Sequence, residues 1–521
     1  FSLIDKNGAP RGEKHFIFYN PPVINEELGI RKSVINESSR IATKFLLKGI
    51  QTIVFGRSRL RVEILTTYLK RAMERAKKDP NRIRGYRGGY LPNERRDIEE
   101  GTRNGNYLGV VSTNALELGI DIGRLKAAVL AGYPGTISST WQQGGRAGRS
   151  QETSAVILVA SSAPLDQFIV QHPRYFFGTT PESGQINPDN LAILVSHLKC
   201  SSFELPLAEN EKFGENETGG ILQYLEEEQI VRHSGDKWFY SNAAYPAEEI
   251  SLRSASSENF VIINTSDYNT VIGEVDLHSA PIMIHDQAIY IHQTQPFIID
   301  KLDWDGRTAY AREVDVDYYT DAVEESDIKV LTDEMTAPIE NLHAKNQAYA
   351  ERHFGEVAVS TIVPKYKKIR FETHENVGFG YIHLPQLDKQ TEAYWMEIPA
   401  DLAEHLVKDG ADLGGGIRSL ATALRNVVPV FVLCDPKDIR TAPMVRAPFS
   451  GLPTLYLYDV YPGGIGIARR IYDIDHKIFE AAEQLIRECS CKSGCPSCVG
   501  PPMEIGARGK QSALSMLHYL K

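Results

Sequence analysis

Two groups of residues in this sequence have types and spacings that do chemistry. The first is the stretch STWQQGGRAGRS, Ser139 to Ser150, in which Arg146 and Arg149 stand among glycines with no carboxylate in the run. Two neighbouring guanidiniums repel each other, so aligning them in a small-residue setting points to an anionic ligand, with a triphosphate the natural candidate. Read as a helix, Gln142, Arg146 and Arg149 fall at i, i+4 and i+7 and share one face. Upstream, VVSTNALELGID (Val110 to Asp121) ends a strand at Ser112, Thr113 and Asn114, where hydroxyls and backbone N–H groups can meet a phosphate. Gly119 permits a close approach of the chain, and Asp121 can accept a bond from a ribose hydroxyl.

The second group is CSCKSGCPSC, which holds Cys489, Cys491, Cys495 and Cys498, four of the six cysteines. That spacing fits one tetrahedral thiolate site with Zn–S distances of about 2.3 Å. An iron–sulfur cluster takes the same four thiolates, but the compactness of the run favours zinc. Disulfides are the third possibility, and they belong to secreted small domains, of which nothing here carries a mark. A closed four-cysteine site would be structural. Cys200 and Cys434 sit in apolar stretches and read as ordinary core thiols.

These residues need a scaffold, and the texture of the chain predicts an α/β multidomain protein. Segment 1–180 alternates strand-like runs (TIVFG, YLGVVST, KAAVLAGYP, SAVILVAS) with helical ones (RSRLRVEILTTYLKRAMERAKK, LPNERRDIEEGTRNG). Such a series builds a parallel sheet covered on both faces, with ligands beyond the strands' carboxyl ends. Segment 181–255 has two helices and a hairpin turning at Ser234 and Gly235, a winged-helix pattern in which Trp238 and Tyr240 pack on the helices. In segment 256–365, NFVIIN, APIMIH, QAIYIHQT and AYAREVDVDYY read as antiparallel strands of a β-rich connector. Segment 366–521 is an α/β module ending in the cysteines.

Charge is distributed unevenly. The net charge is -10, yet residues 1–150 carry 26 Lys and Arg against 14 Asp and Glu, while the rest carry 31 against 53. A basic domain on an acidic chain suits a polyanionic partner. The longest apolar run, VVPVFVLC, is too short to span a bilayer, and no membrane partner is expected. The sequence opens on Phe1 without an initiator Met, so a segment upstream is expected.

The pieces TIVFGRSR, YRGGYLPNERRDIE, VVSTNALELGIDI and QQGGRAGR resemble, in order, motifs IV, IVa, V and VI of superfamily 2 helicases. The resemblance implies a second RecA-like lobe. It makes Gly119 and Asp121 nucleotide contacts, Arg146 and Arg149 the phosphate-binding arginines, and Gln142 a contact to the γ-phosphate or the attacking water. It also gives Arg57, Arg87, Gly88 and Thr113 the task of holding a nucleic-acid backbone. ATP and Mg²⁺ would then lie against a first RecA-like lobe that is missing here. A P-loop needs G-x-x-x-x-G-K-[ST], whereas EIGARGKQS has Glu504 in place of the first glycine and Gln511 after Lys510. In VLTDEMT, Asp333 and Glu334 read as a helix N-terminus at a domain boundary.

Near the C-terminus, YDVYPGGIGIA followed by the four cysteines resembles the zinc-binding domain of the MrfA family of DNA-repair helicases. The resemblance implies an ATP-dependent 3′-to-5′ DNA helicase, cytoplasmic and monomeric, acting on single-stranded or tailed duplex DNA and carrying structural Zn²⁺. Without its first lobe the fragment is expected to be inactive. An RNA helicase of the same superfamily and a non-catalytic nucleic-acid-binding scaffold are the alternatives. His278, His285 and His292 read as scattered surface histidines, and GFGY (Gly378 to Tyr381) as a turn.

Overall fold

Apolar runs without alternation build the first layer, because strands buried on both faces have no solvated side to mark. Thr52–Phe55, Gly109–Ser112 and Ala127–Ala131 are buried at every position. The computed structural model describes residues 12–26, 29–118, 123, 125–148, 152–182, 186–187, 190–213, 216–250, 259–339 and 350–520. In it these strands join Lys14–Tyr19, Ile83–Tyr86 and Ser154–Val159 in a six-stranded sheet whose pairs are all parallel. The spatial order is Lys14–Tyr19, Ser154–Val159, Ala127–Ala131, Thr52–Phe55, Gly109–Ser112, Ile83–Tyr86. Helices Val34–Leu47 and Arg59–Arg75 cover one face through Leu46, Leu65 and Leu69; Ile98, Ile137, Ile169 and Phe176 fill the other. This is the RecA-like lobe the sequence predicts.

The winged-helix unit follows, with helices Leu191–Glu204 and Gly219–Glu227 packed on the hairpin Val231–Ser234/Lys237–Tyr240. Trp238 is 4% exposed in a core with Leu194, Leu198 and Leu222, so it packs rather than presenting to a ligand. A five-stranded sheet comes next. It is mixed rather than purely antiparallel, since Asn259–Asn264 runs parallel to Thr308–Glu313. Within it APIMIH departs from the expected strand: Pro281, in the first turn, starts a short helix, Ala280–Met283.

A seven-stranded sheet, including Tyr318–Val330, Glu351–Arg370, Leu387–Glu397, Thr454–Asp459 and Ile439–Met444, forms the platform of the C-terminal part. Strand Glu351–Arg370 runs straight across the expected boundary at 365/366, and its sheet takes strands from both sides. Helices Leu413–Val432 and Ile467–Glu488 cover one face through Leu420, Leu424, Ile471 and Phe479.

Three further expectations are corrected here. Asp333 and Glu334 precede a strand, Met335–Pro338, that pairs with the start of Glu351–Arg370, so no helix begins there. GFGY lies in a strand, Asn376–Tyr381; Gly380 is required because a Cβ there would sit 2.4 Å from the Tyr366 ring, while Phe379 and Tyr381 stand exposed. The histidines are not a surface set: His285 is fully buried with a ring nitrogen 2.8 Å from the Asp286 carbonyl, and His292 is buried 3.4 Å from Glu94. Among the described residues no helix is long and apolar enough to cross a membrane.

Candidate nucleic-acid interface and metal centre

The glycine-rich arginine stretch begins on a helix and leaves it early. Thr136 caps Ile137–Gly144, and the helix closes at Gly145. Arg146 therefore stands in the following turn, where Gly148 adopts φ 77°, and does not share a helical face with Gln142 as expected. Glycines in succession favour the turn because they pay the largest entropic cost inside a helix. Arg146 is buried, and its Nε and Nη2 both donate to the Glu117 carbonyl, the former at 3.0 Å. The Glu117 carboxylate in turn accepts from Ser139 Oγ at 2.7 Å and Gln143 Nε2 at 2.9 Å. The loop after Gly109–Ser112 and the arginine stretch are thus clamped to each other. Gln142 is half-buried on the helix; Gly119, Asp121 and Arg149 lie outside the described residues.

Thr113 and Arg57 sit at the carboxyl ends of neighbouring parallel strands. Thr113 Oγ1 accepts from the Ala115 N–H at 3.3 Å, and Arg57 keeps a long contact, 3.9 Å, to buried Asp166 while staying 27% exposed. Gly88 is half-buried nearby. Arg87 does not fit the role expected of it. Its side chain is 1% exposed, Nε pairs with Glu63 at 2.7 Å, and Nη2 donates to Tyr290 Oη at 3.2 Å and the Ile291 carbonyl at 2.9 Å. The guanidinium also stacks 4.6 Å from the Tyr90 ring centre. Every direction is taken by protein, so Arg87 joins the RecA-like lobe to the five-stranded sheet.

A second cationic group escaped sequence reasoning. Lys389 on Leu387–Glu397, Arg425 on Leu413–Val432 and Arg440 on Ile439–Met444 line an open groove of about 750 Å³. Burial, then the neighbouring Arg440 and Arg57, hold Arg425 below the ordinary arginine range. Burial and Arg57 do the same to Arg61, and burial with Arg440 pushes Lys389 down to about 8. Burial is the leading cause of each shift, and Glu324, Glu325 and Asp388 line the same groove, so its charge is mixed and Arg425 and Arg440 are its candidates for holding a phosphate backbone. These residues come from three elements far apart in sequence, so no spacing announced them.

The cysteines converge as predicted. Their sulfurs lie 3.6 Å (Cys489–Cys491), 3.5 Å (Cys489–Cys495), 3.5 Å (Cys491–Cys498) and 3.7 Å (Cys495–Cys498) apart. A disulfide needs about 2.05 Å, whereas a tetrahedron with Zn–S of about 2.3 Å has edges of roughly 3.8 Å. The donor set therefore fits zinc, which would close the knuckle at the end of Ile467–Glu488 and act structurally. A hydrogen bond from the Cys495 thiol holds the Cys489 sulfur below the usual thiol range. The knuckle docks on the RecA-like lobe, where Ser497 Oγ donates to the Ser162 carbonyl at 2.7 Å. Cys434 is a buried core thiol, pushed up to about 12 by burial.

Three comparisons with known proteins bear on these sites. Residues 38–151 match the helicase conserved C-terminal domain, residues 186–255 the winged-helix domain of ATP-dependent helicase HRQ1, and residues 420–499 the MrfA Zn-binding domain. The chain is 47% identical to "Uncharacterized ATP-dependent helicase YprA" of Bacillus subtilis, over 99% of its own length and 67% of that protein. It is 30% identical to ATP-dependent helicase HRQ1 of Saccharomyces cerevisiae, over 96% of its length and 47% of that one. It thus spans about two thirds of one relative and about half of the other. The crystal structure of DUF1998 helicase MrfA bound to DNA superposes with a TM-score of 0.74 at 46% identity, covering 100% of this chain and 68% of that one.

Proposed function

The chain belongs to the MrfA family of helicases, and on that premise we propose that it supplies the second RecA-like lobe and the strand-handling domains of an ATP-dependent 3′-to-5′ DNA helicase acting in repair. The observation that carries this reading is the run of cations from Arg57 and Arg61 to Lys389, Arg425 and Arg440, in a groove that Glu324, Glu325 and Asp388 also line. It starts at the carboxyl ends of the parallel strands, where ligands of such sheets bind. Contacts of this kind hold sugar and phosphate without reading bases, so sequence preference is weak. A strand so held moves when two lobes change separation with nucleotide state.

ATP and Mg²⁺ would be held jointly with a P-loop lobe, a motif this sequence lacks. On this side the phosphates are assigned to Arg146, which must leave the Glu117 carbonyl to reach them, with Arg149 and Gln142, and the rest of the nucleotide to Gly119 and Asp121. The present chain alone then hydrolyses no ATP. DNA is preferred to RNA because the MrfA of the solved complexes is bound to DNA. The test is ATPase and unwinding by the chain joined to a P-loop lobe, with DNA and RNA and with 3′- and 5′-tailed duplexes. Stimulation by RNA alone would favour the RNA-helicase reading. No stimulation by either would favour a scaffold.

A further inference from the structure

A second set of ligand-type side chains lies on the face of the seven-stranded sheet opposite the long helices. Glu351 and Glu397 are directly paired across antiparallel strands, and His353 follows on the same face. One carboxylate oxygen from each glutamate and an imidazole nitrogen lie within 4.8 Å of one another. His353 and Glu397 are 4% and 6% exposed, and His353 Nε2 and Glu397 Oε1 are both buried without a hydrogen-bond partner. Among the described residues no lysine or arginine pairs with Glu351 or Glu397, although like charges directly opposite on adjacent strands are destabilising.

The orientation of the imidazole says what is missing. His353 Nδ1 is 2.9 Å from Asp333 Oδ2, and Thr336 Oγ1, which donates to Asp333, is 3.1 Å away. Nδ1 thus faces the Asp333 carboxylate, which leaves Nε2 as the nitrogen turned toward the two glutamates. At 3.8 Å from Glu351 Oε2, Nε2 makes no hydrogen bond there. The ring is fixed flat against Trp395, with centroids 5.2 Å apart and an interplanar angle of 2°. Three ligand-type atoms converge without a hydrogen bond between them, and a carboxylate holds the far nitrogen of the imidazole, the arrangement that orients histidine toward a metal.

We propose that Glu351, His353 and Glu397 form a second metal site, separate from the cysteine quartet, that takes a divalent ion of the Zn²⁺ or Mn²⁺ class. A mixed imidazole and carboxylate set without sulfur suits those ions better than Ca²⁺ or Mg²⁺, which prefer oxygen alone. Glu351, with 57% of its side chain exposed, forms the entrance and leaves the remaining positions to water. The ion would tie the end of Leu387–Glu397 to the start of Glu351–Arg370 and, through Asp333, to the segment entering Met335–Pro338.

The test is Mn²⁺ binding to the zinc-loaded chain, followed by loss of the free-ion electron paramagnetic resonance signal, since Mn²⁺ does not displace zinc from thiolates. One Mn²⁺ per chain is expected, with a thermal midpoint that rises on its addition. Glu351→Gln should weaken binding at least tenfold and abolish that rise, and His353→Gln should remove binding. No bound Mn²⁺, or binding undiminished in Glu351→Gln, would overturn the proposal. Because Glu351 lies at the rim, its variant stays folded and decides the matter even if His353→Gln does not fold.

Discussion

Lys510 Nζ donates to the carbonyls of both Cys489 and Cys491, at 2.7 and 2.6 Å, and lies 3.4 Å from Cys491 Sγ. A buried ammonium against a four-thiolate cluster offsets the net negative charge that four sulfurs leave on a divalent ion. The lysine in the failed P-loop match therefore has its own task at the metal centre.

Lys510→Met is expected to keep the fold but to lower zinc affinity by about 10- to 100-fold, as loss of a supporting contact to metal ligands does. Competition against a chromogenic chelator measures it. Zinc release indistinguishable from wild type would show that the ammonium does not support the site.

The Arg87 joint yields a prediction opposite to that of a phosphate ligand. Arg87→Ala strands Glu63 in the core and should cost about 3–5 kcal/mol of stability in chemical denaturation. The salt dependence of DNA binding should stay unchanged, whereas loss of a phosphate contact would reduce the log–log slope by about 0.7.

How far the sequence could be read follows from where the information lay. Runs such as TIVF and AAVLA could only be buried parallel strands, and the cysteine spacing left a single compact site. Arg87 looked like a free cation because its partners, Tyr290 and Ile291, lie some 200 residues on. The groove of Lys389, Arg425 and Arg440 and the pairing of Glu351 with Glu397 were hidden because they depend on how separate strands and a helix pack, not on spacing along the chain. GFGY misled because Gly380 makes room for the Tyr366 ring within a strand rather than forming a turn.

Stability of the C-terminal platform should fall as pH rises. Glu392 lies against the turn at Gly464 beside Asp459; burial and then Asp459 push it up to about 7, and burial pushes Asp459 up to about 6. Both carboxyls bind protons more tightly folded than unfolded, so their stabilisation is complete near pH 4 and is lost as pH rises through 6 and 7. Glu392→Gln should raise the thermal midpoint at pH 8 by a few degrees and leave it unaltered near pH 4. An unchanged midpoint at pH 8 would contradict this.

Arg146→Ala, made in the chain joined to a P-loop lobe, should lower kcat for ATP by about 10³ or more, the loss expected when an arginine leaves a transferring phosphoryl group. DNA affinity should stay within about twofold. ATPase near wild type would remove Arg146 from the nucleotide site.

The cationic groove is tested most directly by single-stranded DNA affinity as a function of salt, compared between wild type and Arg425→Ala/Arg440→Ala. Two lost phosphate contacts should flatten the log–log slope by about 1.4 and weaken binding equally for unrelated sequences. A slope and affinity equal to wild type would mean that the strand does not pass through this groove.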